Sequence, residues 1–192
     1  FPLHGKCRFF HKKEGKEVDI YTGEKMLQQI NQLLSEICEQ YYGATPKINN
    51  ELINKRNLSS QIQKARMLLA DELLRQEDLS SYQKKTSPEA TIYRAVFIKT
   101  GLLSFEENEH KKFDKGARAV VREIEKFLLS AAGKKVCFKE LYKLLQGRKY
   151  GLRKGVMPLY LAYVLADWEN TPVVYLGKKE LEINAKILEN IN

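Results

Sequence analysis

The run Gly155-Val-Met-Pro-Leu-Tyr-Leu-Ala-Tyr-Val-Leu-Ala166 carries no charged side chain and no Asn, Gln or Ser. It is too short to cross a membrane, which takes roughly 18 apolar residues or more. It is also apolar almost all round, so as a helix it must be enclosed by other elements. A chain containing it needs a core with partners on several sides. Apolar residues make up 43% of the 192 and supply that core. No stretch reads as a membrane span or a secretory leader, so a cytoplasmic protein is expected. The chain opens on Phe1 rather than Met, which suggests a piece of a longer parent.

The elements around this run follow a recognisable order. A helix is expected from about Ala117 to Ala131, with Val120, Val121, Ile124, Phe127 and Leu128 on its apolar side and Gly133 as its stop. Val136-Cys137-Phe138 is a short β-prone run. Phe138 to Gln146 reads as a second helix, and Gly147 to Lys154 as a turn. A third helix runs from Leu152 to about Glu169. Pro172 to Leu176 and Glu180 to Ile183, joined through Gly177-Lys-Lys, read as a hairpin, and Asn184 caps a last short helix. Helix, short strand, helix, turn, helix and hairpin is the order of a winged helix, a variant of helix-turn-helix.

The preceding residues are mostly helical. Residues 6–22 look like a hairpin around Gly15. A helix follows from about Glu24 to Tyr42, its stripe formed by Met26, Leu27, Ile30, Leu33, Leu34, Ile37, Cys38 and Tyr41, and Gly43 closes it. Thr45-Pro46 and the Asn-rich segment 47–58 make a connection. Ser60 to Gln63 matches a capping box for a helix reaching Gln76, with Ile62, Ala65, Leu68, Leu69 and Leu73 on one side. Ser87-Pro88-Glu89 opens another helix, which ends at Thr100 before Gly101. The expected class is mainly α with small β-hairpins. A helical module over 1–105 is followed by a polar linker over 106–116 and a winged-helix domain over 117–192.

Charge narrows the possible partners. The formal net charge is +9, with +3 on residues 1–116 and +6 on 117–192. That balance points to nucleic acid or an acidic partner, but a solvated basic surface on a fold that mediates protein packing inside a larger assembly is the preferred reading. A reading helix offers Arg, Asn or Gln to base edges, and the apolar run offers none. Its approach does carry cations: Arg148, Lys149, Arg153 and Lys154. With Lys178 and Lys179 on the hairpin, these are the candidate phosphate contacts, on double-stranded DNA and without base readout.

Catalytic signatures are absent. There is no phosphate-binding glycine loop, GxGxxG, HExxH or GxSxG. His4, Cys7 and His11 fall within eight residues but fit no strong zinc spacing, and His110 sits in the polar linker. Cys7, Cys38 and Cys137 are few, odd in number and far apart, as free thiols in a reducing compartment would be. No metal, cofactor or catalytic residue is expected. Asn50, Glu51, Asn54 and Arg56 form the most chemistry-like cluster. They read as a hydrogen-bonded corner between helices, with contact to a nucleotide or a partner as the alternative.

Two segments also carry a resemblance. One is Tyr42-Gly-Ala-Thr-Pro-Lys-Ile-Asn-Asn-Glu-Leu-Ile-Asn-Lys-Arg-Asn-Leu-Ser-Ser60 with Ala65-Arg66. The other is Phe138-Lys-Glu-Leu-Tyr142 with Tyr150-Gly-Leu-Arg-Lys-Gly-Val-Met-Pro158. Between them, Ser87-Pro88-Glu89, Ile92-Tyr93 and Gly101 keep the same order. Together they resemble the regions that follow the P-loop core in very large bacterial ATPases of phage defence, such as the ATPase subunit of bacteriophage-exclusion systems and its phage-growth-limitation relative. The resemblance implies a bacterial or archaeal cytoplasmic protein serving a multi-subunit complex, with the remainder of a larger ATPase as its partner. The ATPase motifs themselves are missing, so no catalytic residue carries over. A free-standing winged-helix DNA-binding protein is the alternative.

Overall fold

The computed structural model describes residues 6–11, 16–21, 25–105, 113–168 and 172–190. The chain resolves into two compact units, Phe1–Gly43 and Ala44–Asn192. In the first, strands β1 (Lys6–His11) and β2 (Lys16–Tyr21) pair antiparallel, with Lys6 opposite Tyr21 and His11 opposite Lys16. Helix α1 (Lys25–Tyr41) packs on β2. Its apolar stripe is not enclosed: Leu27 and Leu34 are exposed, while Ile30, Leu33, Ile37 and Tyr41 are half-buried.

The second unit is mainly helical. Helix α2 (Glu51–Asn54) is one turn, capped by the Asn50 side chain. Helix α3 (Ser60–Leu74) starts one residue earlier than the capping box suggests. Ser59 is the cap, and its hydroxyl accepts from the Ile62 amide at 3.4 Å. A 3₁₀ turn (Ser80–Gln83) leads to α4 (Pro88–Tyr93), which continues as a π-helical turn, Arg94–Ile98. Ser87 caps α4 by position only, since its hydroxyl is buried without a partner among the described residues. Then come α5 (Lys115–Ser130), α6 (Phe138–Gln146), α7 (Met157–Ala166), the antiparallel pair β3 (Val174–Leu176) and β4 (Lys179–Leu181), and α8 (Ala185–Asn190). The Asn184 side chain accepts from the Ile187 amide and so caps α8.

Three sequence expectations are corrected. The third helix is shorter, beginning at Met157, because Gly147–Val156 folds back in a series of tight turns. Gly151 takes a φ of +54° there, and its amide donates to the Gly147 carbonyl at 2.8 Å. Val136–Phe138 is not a strand: Cys137 and Phe138 already belong to the start of α6, and β3–β4 stands as a two-stranded sheet. Finally, the compact units part at Gly43, not at 106–116. The reason is that α3 packs chiefly on α7 and also on α8, so one core runs through both expected modules. Of the expected linker, 106–112 lie outside the described residues, while Asp114 caps α5 by accepting from the Ala117 amide at 2.8 Å.

Helix α7 is the axis of that core. Eight of its ten residues are buried, among them Leu159, Tyr160, Leu161 and Ala162. At roughly 2 kcal/mol for each fully enclosed large apolar side chain, this helix organises what packs on it. Two glycines allow the closest approaches around it. A Cβ at Gly155 would lie 2.7 Å from the Ile53 carbonyl oxygen, and one at Gly116 would lie 2.3 Å from the Thr45 carbonyl oxygen.

Candidate nucleic-acid interface

The connection between α6 and α7 presents the first set of expected cations. Its backbone is pinned at several points. The Leu152 amide donates to the Leu145 carbonyl at 2.9 Å, and the Ala44 amide donates to the Lys149 carbonyl at 3.1 Å. Tyr150 and Leu152 turn inward and are buried. Arg148, Lys149, Arg153 and Lys154 are therefore left on the outside, all exposed. The Tyr150 hydroxyl donates to Glu123 of α5 at 2.6 Å, and the Lys149 ammonium lies 5.0 Å from the Tyr150 ring centre. Its bond with Tyr150 shifts the Lys149 pKa upward, which keeps the charge on. Burial first, and then the bond to Glu123, push the Tyr150 hydroxyl up as well.

Lys178 and Lys179 are exposed at the tip of β3–β4. Gly177 takes a φ of +64° and Leu176 pairs with Lys179, which closes a two-residue turn. Beside the hairpin, the Lys135 ammonium sits 4.4 Å from the exposed Tyr175 ring.

The Asn-rich corner spends its polar atoms on the fold. Asn50 Oδ1 accepts from the Leu52 and Ile53 amides at 2.9 and 3.3 Å, and its Nδ2 donates to the Thr91 carbonyl at 3.2 Å. Asn54 Nδ2 donates to the Ile48 carbonyl at 2.8 Å. These bonds tie α2 to α4 and close the turn after Pro46. Glu51 and Arg56 are exposed at its edge and are not drawn into the network.

Two features escaped sequence reasoning. Arg66 takes a core position on α3 where Leu68 was expected, and Leu68 is exposed. Its guanidinium donates to Glu189 of α8 from Nε at 2.9 Å and from Nη2 at 2.5 and 2.6 Å, and Nη1 donates to the Gly155 carbonyl at 3.0 Å. No local pattern announces a partner 123 residues away. The second feature is a row of cations on α5, Lys115, Arg118, Arg122 and Lys126, all exposed. Here a signal existed, in their helical spacing.

Among the described residues, no group of three or more His, Cys, Asp or Glu could hold a metal. His4, the side chains of Cys7 and His11, and His110 lie outside the described residues. Cys38 and Cys137 are free and exposed. No described helix is long and apolar enough to cross a membrane. No family model, curated protein or solved structure matches the chain.

Proposed function

We propose that this chain is a non-catalytic interaction region of a larger, phage-defence or DNA-transaction ATPase, built on a winged-helix plan over residues 117–192, and that it meets DNA through phosphates only. The observation that carries the reading is the burial of α7. In a winged helix the third helix is the one laid into the major groove. Here that helix is packed by α3, α5 and α8 and carries no Arg, Lys, Asn or Gln to offer a base edge. Its two tyrosine hydroxyls are held inside the fold, Tyr163 on the Leu102 carbonyl and Tyr160 in the core. What remains outside is the cationic connection leading into it.

The ATPase assignment draws support from how the two resembling segments meet. Gly155 lies against Ile53, and Arg66 bonds to the Gly155 carbonyl. They form one piece of architecture, as segments kept in order within one region would.

A duplex titration of the full chain at two salt concentrations tests the DNA part. Weak binding is expected, equal on unrelated sequences, steeply salt-dependent, and lost in Arg153→Glu/Lys154→Glu. Discrimination between sequences by 10³-fold or more, on the order seen for specific regulators, would favour the second reading, a free-standing DNA-binding regulator. No binding at low salt would leave protein contact as the role. A P-loop upstream in the same reading frame is the matching test of the partner.

A further inference from the structure

We propose that the outward face of α5 is a binding site for the backbone of double-stranded DNA, with Lys115, Arg118, Arg122 and Lys126 as its phosphate contacts. The proposal rests on the phosphate-contact reading above for its ligand class, and puts the contacts on residues which that reading does not use.

The four cations are spaced three, four and four residues apart, so they stand in one row along the helix. At about 1.5 Å of rise per residue, the row is roughly 16 Å long. Every exposed side chain from 115 to 126 belongs to it. The two carboxylates of this stretch, Glu123 and Glu125, are half-buried, and Glu123 is engaged by Tyr150.

An ordinary solvated helix is arranged differently. It sets opposite charges four residues apart, where each pair adds a few tenths of a kcal/mol. This one sets like charges at Arg118–Arg122 and Arg122–Lys126, which repel. It also puts Lys115 in the first turn, at the positive end of the helix dipole, where the capping carboxylate of Asp114 is the one acidic group that offsets it. Among the described residues, no carboxylate lies within ion-pair distance of any of the four. Arg118 is held in place otherwise, its guanidinium 3.5 Å from the centre of the Phe113 ring. The row therefore works against the stability of the helix that bears it. An anionic ligand removes that penalty.

The shape of the row selects the ligand. A single phosphate group is too small to meet four charges over 16 Å. Duplex DNA presents a charge every ~1.7 Å of axis and suits a straight cationic rod. Single-strand sites add a row of aromatic rings for base stacking. Here, among the described residues, Phe113 is the one ring in contact with a member of the row, and Arg118 covers it. The bond from Tyr150 to Glu123 also seats Lys149 against α5, so the connection's charge adjoins the row.

The test compares two variants of the full chain, Arg122→Gln/Lys126→Gln on α5 and Arg153→Gln/Lys154→Gln on the connection. Fluorescence anisotropy is read on one labelled duplex, and on its single strand, across a salt series. Each phosphate contact contributes about 0.9 to the slope of log affinity against log salt, so the α5 pair is expected to flatten it by about 2. From about 50 to 200 mM salt, wild type then loses roughly tenfold more affinity than this variant. Melting temperatures matching wild type confirm that both variants remain folded. A flattened slope for the α5 pair alone supports this inference and overturns the connection as a contact. A flattened slope for the connection pair alone overturns this inference and leaves the earlier reading standing. Flattening by both supports both, and no duplex binding by wild type at low salt overturns both. Tighter binding to the single strand overturns the duplex assignment.

Discussion

Helices α5 and α7 lie against each other and are built on opposite rules. Helix α7 buries eight of its ten residues, and the other two, Tyr163 and Ala166, are half-buried. Helix α5 has two sharply different sides. Gly116, Ala117, Val120, Ile124 and Leu128 face the core, and an unbroken cationic row faces solvent. The difference separates support from contact. A helix enclosed on every side cannot read a ligand, however much its place in the order of elements suggests it. A helix with a polar side can, even where that order assigns it only a supporting role. The sharpest way to break the comparison is to truncate one residue of each kind. Leu159→Ala in α7, at a fully buried site, is expected to lower unfolding free energy by about 2–5 kcal/mol, because a cavity opens as well as transfer energy being lost. Arg122→Gln on α5 should change it by less than about 0.5 kcal/mol. Urea denaturation of the full chain measures both. Comparable losses would mean that α5 is also enclosed, and would remove its claim to be a contact face.

Arg66 sharpens the same contrast, because it is a cation placed inside. Its bonds to Glu189 and to the Gly155 carbonyl fasten α8 and the entry to α7 onto α3. Tyr142 adds a bond from its hydroxyl to the Leu188 carbonyl at 3.2 Å, and Asp71 accepts from the Ala185 amide at 2.9 Å. Arg66→Met leaves Glu189 without its partner. The expected loss is about 3 kcal/mol, toward the low end for a broken buried pair, because the Glu189 side chain keeps 19% of its surface in water. Adding Glu189→Leu should recover part of it, leaving the orphaned Gly155 carbonyl as the remainder. A double variant no more stable than Arg66→Met would show that the carboxylate is not what makes the single change costly.

Much of the helical ladder was legible because it rests on local rules. Phe138–Gln146 was found to the residue, and Asn184 as a cap, from apolar spacing and cap chemistry alone. The start of α7 was misread because Leu152 looks like a first helical residue, while the fold buries it in the connection and bonds its amide to the Leu145 carbonyl. The boundary at 106–116 failed for a related reason. Polarity marks exposure, but whether two segments share a core depends on which faces meet, and α3 meets α7. Of the candidate sites, the Asn50–Asn54 corner was readable as a structural turn. The cations of 148–154 cluster in the sequence itself, and the structure leaves them exposed. The row on α5 was passed over because its members are three and four apart, close only once the helix is wound. The Arg66–Glu189 pair had no sequence signal at all.

A gain in stability is the outcome most diagnostic of how completely α7 is enclosed. Tyr160 lies at its centre, and its hydroxyl is buried with no hydrogen-bond partner among the described residues. Burial, with the nearby Asp114 carboxylate adding to it, pushes this hydroxyl well above the ordinary tyrosine value near 10. A group that holds its proton more tightly when folded stabilises the fold in full below that ordinary value. As pH rises past it, the unfolded chain ionises first and stability falls. Burial also raises the Tyr142 hydroxyl, and burial with a bond to Glu72 raises that of Tyr82, so the fall should be steep above pH 10. Tyr160→Phe removes the stranded hydroxyl and keeps the ring. At neutral pH it is expected to raise unfolding free energy by about 1 kcal/mol, and to make the alkaline decline shallower without abolishing it. A loss of stability instead would mean that the hydroxyl is satisfied, as by a buried water. In that event α7 would have a wet side, and its contrast with α5 would be one of degree.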